Sequence, residues 1–236
     1  MILIPVIDLK DGEVVHACLG KRDAYRPVRS RLCAGHAPVE VVGGFLRLHP
    51  FATVYIADLD SIERRGDNLT AIRAVRARFP RLDLWVDAGF GTAPAVLAWR
   101  EGGLGRPVVG TESLAAPEHW TGIVEAGAAD VVLSLDFGAG EFLGPREVLA
   151  EPQSWPRDVV VMTLGRVGGA EGPDLDRVRA VRRRAGGRRV FAAGGVRDGR
   201  DVERLAEVGA DGALLASALH DGRIGADDVA RARAGG

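Results

Sequence analysis

The 236-residue chain has little cysteine, very few aromatic residues and no long apolar run. Its two cysteines, Cys18 and Cys33, are typical of a reducing compartment, so we expect them to stay free. No stretch approaches the roughly 20 apolar residues that span a bilayer. The N-terminal segment also carries Asp8 where a signal peptide is uncharged. We therefore expect a cytoplasmic protein.

An excess of charge of either sign is also missing. The formal net charge is −1, with 27 % charged and 47 % hydrophobic residues. Such a chain has no overall field that would attract nucleic acid or an anionic membrane, and we expect neither as a partner. The arginine-rich segment 182–189 falls on a predicted helix and its exit turn, where a solvated face is more typical than an RNA-binding patch.

Lysine is the scarcest of the common charged residues. Lys10 and Lys21 are the only lysines, and neither lies inside a predicted strand where desolvation would lower its pKa. A Schiff-base aldolase remains an alternative with only these two candidates. The five histidines show no close pair at helical ligand spacing, so we predict neither a metal site nor a cofactor.

What the chain does have is a regular alternation of strand-like and helix-like segments. Eight short runs are apolar on both faces, as parallel strands covered by helices are. They are 2–8, 53–60, 82–90, 107–113, 130–137, 158–165, 189–196 and 212–219. Amphipathic segments at 68–79, 93–103, 174–187 and 199–210 lie between them.

This alternation predicts an α/β fold, a (β/α)8 TIM barrel that forms one domain over residues 1–236. A doubly wound open sheet is the alternative architecture. The polar, glycine-bearing segment 10–37 interrupts the even spacing and is expected to form a long loop on the catalytic face.

The two halves of the chain repeat each other. Three predicted strand pairs share an offset of 106 residues, matching Asp87 with Ala193, Thr111 with Ser217, and Ala57 with Thr163. A fixed offset signals repeated architecture, so we expect two (β/α)4 half-barrels. Asp8 and Asp136 differ by 128 residues, which breaks the register.

Asp8 and Asp136 each end a predicted strand, the first and the fifth. In a barrel these strands lie opposite one another and their carboxyl ends surround the active site. Two carboxyl groups facing one pocket can divide the roles of general acid and general base. A strand-end aspartate can instead cap the next helix, and that alternative stays open for each of them.

Gly194 and Gly195 follow the seventh predicted strand, and Ala216 and Ser217 belong to the eighth run. Barrel enzymes often bind phosphate at this place, on backbone amides that no side chain obstructs. The pattern therefore predicts a phosphate site, and an ordinary turn is the alternative.

These residues, with the segments IPVIDLKDGEVV, IADLDSIERRGDN, SLDF and AAGGVRD, resemble the HisA/HisF family of (β/α)8 barrels from histidine biosynthesis over nearly the whole chain. The resemblance implies a substrate phosphorylated at both ends and an Amadori-type aldose-to-ketose rearrangement, as in the ProFAR isomerases of that family. It makes Asp8 the general base or acid, Asp136 its partner and Thr163 a supporting residue.

The chain departs from the family pattern at the third strand. The family has a glycine-rich segment there that clasps one phosphate, whereas this chain has Asp87-Ala88-Gly89-Phe90-Gly91. Gly110 and Thr111, after the fourth strand, still fit the family. A carboxylate in contact with a phosphate is repulsive by a few kcal/mol in a poorly solvated site. His16 and the segment 164–169 depart from the pattern too.

The sequence thus predicts an isomerase related to HisA with one working phosphate site and a substrate whose far end is neutral or cationic. Asp87 would face that end, with Gly89, Gly110 and Thr111 as neighbouring substrate-binding residues. An authentic ProFAR isomerase, with Asp87 turned outward or capping the next helix, is one alternative. A barrel that binds without catalysing is the other.

Overall fold

The computed structural model of the protein describes residues 1–19, 21–127 and 130–234. Eight parallel strands form a closed barrel, because the last strand pairs with the first through Gly212 and Ile2. The strands are β1 (Ile2–Lys10), β2 (Thr53–Asp58), β3 (Asp83–Asp87), β4 (Arg106–Gly110), β5 (Val132–Gly138), β6 (Asp158–Thr163), β7 (Arg189–Ala193) and β8 (Gly212–Leu215). The predicted (β/α)8 barrel is therefore confirmed, and the open sheet is wrong.

Helices connect the strands and cover the outside of the barrel. They are α1 (Pro38–Leu48), α2 (Leu59–Ile62), α3 (Leu69–Arg78), α4 (Ala93–Glu101), α5 (Pro117–Glu125), α6 (Arg146–Ala150), α7 (Leu175–Arg182), α8 (Gly199–Glu207), α9 (Ser217–His220) and α10 (Ala226–Ala234). The predicted helical segments are confirmed as α3, α4, α7 and α8, each with shorter bounds. Within the described residues, no helix is long and apolar enough to cross a membrane.

Several strands end earlier than their apolar runs suggest. The run 53–60 becomes a strand only as far as Asp58, whose side chain accepts a hydrogen bond from the Ser61 amide and starts α2. The run 212–219 ends as a strand at Leu215 and continues as α9. Hydrophobicity alone cannot locate these ends, because the buried apolar sequence passes directly from strand to helix.

Inward-facing side chains from all eight strands fill the barrel below its mouth. This inner cluster contains Ile4, Tyr55, Trp85, Val108, Val132, Val160, Phe191 and Leu214. The Trp85 and Phe191 rings meet edge to face with centroids 5.0 Å apart. The barrel is thus packed solid at this level, and any ligand must bind above it.

The strand register supports the duplication and corrects one part of it. Ala57 is the register partner of both Asp8 and Asp87. Met162 is likewise the partner of both Asp136 and Ala193. By this register, Asp8 on β1 is equivalent to Asp136 on β5, and Asp87 on β3 is equivalent to Ala193 on β7. Three of these four positions thus carry an aspartate. The predicted match of Ala57 with Thr163 is wrong, because Ala57 corresponds to Met162.

The segment 10–37 lies over the barrel mouth as predicted, and Gly20 within it falls outside the described residues. It contains two short strands, Glu13–His16 and Arg26–Pro27, and a single helical turn at Arg22–Ala24. The amide of Leu19 donates to the carbonyl of Val167 on the far side of the mouth, over 2.7 Å. The loop therefore bridges the entrance from β1 to β6.

Three arginines of the segment 182–189 donate to the protein's own backbone, and Arg189 binds the Asp158 side chain. Arg182 donates to the carbonyl of Arg188, and Arg184 donates to that of Ala150. Arg188 donates to the carbonyls of Trp155 and Gln153. These guanidinium groups therefore cap carbonyls of the loops before β6 and β7.

Candidate active site

A cavity of about 200 Å³ opens at the carboxyl ends of the barrel strands. Asp8, Asp87 and Asp136 all line it, together with Glu112. We call these four residues the acidic wall, in which Asp87, Asp136 and Glu112 lie together and Asp8 lies apart from them on β1, next to β8. Gly194, Gly195, Ala216, Ser217 and Arg223 line another part of the same cavity, which we call the glycine flank. The sequence placed most of these side chains in one site, and the structure brings them together.

Asp8 lies near the end of β1 and is only partly exposed. Its enclosure in the barrel mouth raises its pKa to about 7, and the positive charge of Arg22 opposes that rise. An aspartate with such a pKa exchanges protons near neutral pH, as a general acid or base must.

Asp136 on β5 is 3 % exposed and held by two hydrogen bonds. It accepts from the hydroxyl of Ser134 over 2.6 Å and from the amide of Glu112 over 3.1 Å. Burial raises its pKa to about 8, and the charges of Asp87 and Glu112 add to the rise while the two hydrogen bonds oppose it. Asp136 is therefore a carboxyl group fixed in position and largely protonated at neutral pH.

Asp87 ends β3 and is 7 % exposed. It accepts from the Tyr55 hydroxyl over 3.4 Å and from the Gly89 amide over 3.1 Å. Burial raises its pKa to about 7. The alternative in which Asp87 turns outward or caps the next helix is wrong, because its side chain lines the cavity and Thr92 precedes α4.

Gly110 provides the room for two of these carboxyl groups. A Cβ atom at this position would lie 2.9 Å from Oδ2 of Asp136 and 3.3 Å from Oδ2 of Asp87. The two acids therefore converge on the face of Gly110 where any other residue would carry its side chain. Burial raises the pKa of the nearby Tyr55 well above its usual value, so its hydroxyl is a neutral donor toward Asp87.

Three residues predicted to bind substrate at this side have other contacts. The Gly89 amide is bound by Asp87. Thr111 is fully buried, and its hydroxyl accepts from the Asp136 amide over 2.9 Å. Gly89, Gly110 and Thr111 are not among the residues that line the cavity. Their contribution here is to shape the acidic wall.

The glycine flank has a different composition. Gly194 and Gly195 have φ angles of +98° and +83°, which disfavour any other residue. A Cβ atom on Gly195 would also overlap the Gly172 carbonyl oxygen. The Ser217 hydroxyl lies 3.3 Å from Nε2 of His16, and Arg223 adds a guanidinium group at the edge. Backbone, hydroxyl and cation are groups that bind phosphate.

Thr163 ends β6 beside the glycine flank, but its neighbours Met162 and Leu164 line the cavity in its place. Its supporting role stays a prediction. Strand pairing aligns Thr163 with Phe137, one residue past Asp136. Adjacent residues of a strand point to opposite faces, which explains why Met162 faces the cavity.

Sequence reasoning missed Arg22, Glu112 and Arg223, which all line the cavity. Arg22 belongs to the long loop, and its Nη2 atom lies 2.5 Å from Oε1 of Glu112. Glu112 follows directly after the Gly110-Thr111 pair, and that adjacency was the only signal for it. Across the part of the chain that the structure describes, no group of three or more His, Cys, Asp or Glu side chains is arranged to hold a metal ion.

Comparison with known proteins identifies the family of this chain. Residues 2–225 match the family described as histidine biosynthesis protein. The chain belongs to this family. An uncharacterised protein of Methanocaldococcus jannaschii is 31 % identical to it over 97 % of both chains.

Family members with named activities are also similar to the chain. A phosphoribosyl imidazole-4-carboxamide isomerase, the ProFAR isomerase, of Myxococcus xanthus is 31 % identical over the full length of both chains. The isomerase of the same name from Thioalkalivibrio sulfidiphilus is 27 % identical over 99 % of this chain and 98 % of its own. Membership of the histidine biosynthesis family thus extends over the whole barrel, and isomerases are among its similar members.

Proposed function

We propose that this protein is an acid–base isomerase that rearranges a phosphorylated aldose derivative into the corresponding ketose, with phosphate bound at the glycine flank alone. The observation that carries the proposal is the convergence of Asp8 and Asp136 on one cavity whose other part is the glycine flank. The family's isomerases support the reaction class.

The two carboxyl groups suit the two proton transfers of an Amadori rearrangement. A general acid protonates the ring oxygen of the aldosylamine, which opens the ring to an iminium ion. A general base then removes the proton on C2 to give an enaminol, and protonation at C1 with loss of the proton on the C2 hydroxyl yields the aminoketose. We assign the acid to Asp136, whose pKa is raised to about 8, and the base to Asp8, which faces Arg22.

The acidic wall argues against a second phosphate. A phosphate there would need free backbone amides, but the amides of Gly89 and Glu112 already donate to Asp87 and Asp136. It would also meet the carboxylate of Glu112 and the ionised fraction of Asp87, which have its own sign. The far end of the substrate is therefore neutral or cationic, and the substrate differs from the bisphosphate that the relatives' name describes.

Inorganic phosphate provides the first test of this function. Crystals soaked in phosphate should show one occupied site, beside Gly195, and titration calorimetry should give one phosphate per chain. A second phosphate beside Gly89 would instead favour an authentic ProFAR isomerase, which full-length similarity to those enzymes makes the second candidate. Turnover of ProFAR itself at rates typical of enzymes would establish that candidate.

Proton exchange provides the second test. A panel of phosphorylated aldoses and their aldosylamines is incubated with the protein in D2O, and deuterium at C2 is followed by NMR. Incorporation that Asp8→Asn removes supports the isomerase. If no member of the panel exchanges and phosphate still binds, a binding barrel without catalysis is favoured.

A further inference from the structure

Arg22 is the one basic side chain among the cavity-lining residues that contacts the acidic wall. Its Nη2 atom lies 2.5 Å from Oε1 of Glu112, and its Nε atom lies 3.9 Å from Oε1 of Glu63 on the far side. Its side chain is 23 % exposed. The guanidinium group thus sits between a cavity carboxylate and a carboxylate at the end of α2.

Resting on the function proposed above, we propose that Arg22 occupies, in the free protein, the place that a protonated nitrogen of the substrate takes. The substrate is then a phosphate ester with an ammonium or amidinium group at its far end. Its nitrogen binds Glu112 and Asp87, and Arg22 shifts toward Glu63 as it enters.

The composition of the wall favours a cation over a neutral group. Four carboxyl side chains line the cavity, and Arg22 is the basic lining residue that contacts one of them, Glu112. Carboxylates bind a charged N–H donor about twice as strongly as a neutral one. Since the nearby backbone amides already donate to Asp87 and Asp136, the wall presents acceptors to a ligand.

The position of Arg22 allows the exchange. It lies on a single helical turn of the entrance loop, and its carbonyl accepts from Nζ of Lys10 over 3.3 Å, which holds the backbone there. The long side chain can then leave Glu112 while it keeps Glu63 as a partner. Glu112 is 23 % exposed on its side chain and is accessible to a ligand that enters from the cavity.

The experiment compares three series of phosphate esters of equal chain length, from two to five carbons. The esters end in a methyl, an ammonium or a carboxylate group, and calorimetry measures their dissociation constants. For the wild type we expect the best aminoalkyl phosphate to bind about tenfold more tightly than its methyl-ended counterpart. Glu112→Gln should remove most of that preference without changing the affinity for inorganic phosphate.

Arg22→Gln should increase the preference for the ammonium-ended ester severalfold, because the Arg22 guanidinium no longer competes with the ligand nitrogen for Glu112. Arg26→Gln is the matched control, since Arg26 lies on the same loop and donates to the carbonyls of Asp23 and Tyr25. It should bind all three series like the wild type. Thermal melts of each variant confirm that the barrel is folded.

Two results would overturn the inference while leaving the proposed function intact. One is equal binding of the methyl-ended and ammonium-ended esters to the wild type. The other is a preference for the carboxylate series that Arg22→Gln abolishes, which would make Arg22 an anion-binding residue.

If no ester and no inorganic phosphate binds, the proposed phosphate site is refuted, and the exchange at Arg22 is tested separately. Butylammonium shifts in NMR spectra then test the acidic wall directly. They must weaken in Glu112→Gln and strengthen in Arg22→Gln, and any other pattern refutes the exchange.

Discussion

The turn after Asp87 in the acidic wall and the turn after Ala193 in the glycine flank occupy corresponding parts of a duplicated barrel, yet their chemistry differs. Asp87 on β3 and Ala193 on β7 are equivalent by strand register. After Ala193 the chain continues with Gly194 and Gly195, which line the cavity with backbone. After Asp87 the corresponding Gly89 amide is bound by the aspartate side chain. One added carboxyl group thus binds the turn amide and adds an acid to this side of the cavity.

The comparison shows why duplication does not fix function. The fold needs a tight turn after both strands, and glycine meets that need in each half. What the turn binds depends on whether its N–H groups are free. Changing one side of the cavity and measuring binding or exchange at the other therefore tests this difference.

The largest effect is expected at the catalytic pair. Asp8→Asn keeps the shape of the side chain but removes its ability to accept a proton. C2 exchange should fall by a factor of about 100 to 10,000, the usual contribution of a general base. Phosphate affinity at the glycine flank should stay within about threefold of the wild type, because asparagine keeps the volume of the Asp8 side chain and the phosphate binds elsewhere in the cavity. Exchange that persists in Asp8→Asn would contradict the assigned role.

The pH dependence of exchange should reflect the same pair. With pKa values raised to about 7 for Asp8 and about 8 for Asp136, the rate should rise as the base ionises near pH 7 and fall as the acid ionises near pH 8. A bell-shaped profile near neutral pH is the expected outcome. A rate that is flat from pH 5 to 9 would show that these carboxyl groups do not titrate in the rate-limiting step.

A negative charge added to the glycine flank should have the next largest effect. Ser217→Asp should weaken inorganic phosphate binding about 100-fold, because it places a carboxylate against the anion. Ser113→Asp adds the same charge next to the acidic wall and is the matched control. We expect it to change phosphate affinity less than threefold. Equal losses in both variants, measured by calorimetry, would mean that phosphate has no preferred side.

Stability should respond to pH in opposite directions at two buried aspartates. The raised pKa of Asp87, about 7, means that its burial costs stability as pH rises above about 4, the ordinary aspartate value, and this cost is complete above pH 7. Asp87→Asn should therefore be more stable than the wild type at pH 8.5, by about 2 kcal/mol, with a gain that shrinks toward pH 4. Urea unfolding at several pH values measures this.

Asp201 provides the control with the reverse sign. Hydrogen bonds from Arg197 hold its pKa below the usual value, despite its burial. Its ionised form stabilises the fold above the unfolded pKa, and that contribution is lost as pH falls through the folded pKa. Asp201→Asn should therefore have a lower free energy of unfolding than the wild type at pH 7, and the difference should be smaller in acid. The same pH trend in both variants would contradict the electrostatic account.

The sequence predicted the barrel well because its signal is repeated eight times. Parallel strands buried on both faces, followed by glycine turns and amphipathic helices, have few alternatives once the count reaches eight. Asp8, Asp87 and Asp136 could be found for the same reason, since strand ends point to one mouth. The strand ends themselves were less certain, as α2 and α9 continue the apolar runs of β2 and β8.

Contacts made across the mouth could not be predicted in this way. Arg22 and Glu112 are 90 residues apart, and their pairing depends on how the entrance loop folds over the cavity. Thr111 fits a phosphate-binding pattern, yet its hydroxyl bonds to the backbone of β5. In the sequence, Tyr55 looks like one more apolar strand residue. Its hydrogen bond to Asp87 depends on how the strands close into the barrel.

The smallest expected effect is a weak second phosphate site beside Gly89. Asp87→Gly frees the Gly89 amide and removes one carboxyl group, but Glu112 and Asp136 remain on the wall and Arg22 stays paired with Glu112. A second phosphate should therefore bind only weakly, with about 1 kcal/mol gained from the freed hydrogen bond. Replacing Glu112 by alanine as well should strengthen it, because one more repelling charge is gone and Arg22 becomes available to the anion. Phosphate soaks of both variants decide the matter: a second site in Asp87→Gly as strong as the first would mean that Asp87 alone separates the two sides of the cavity.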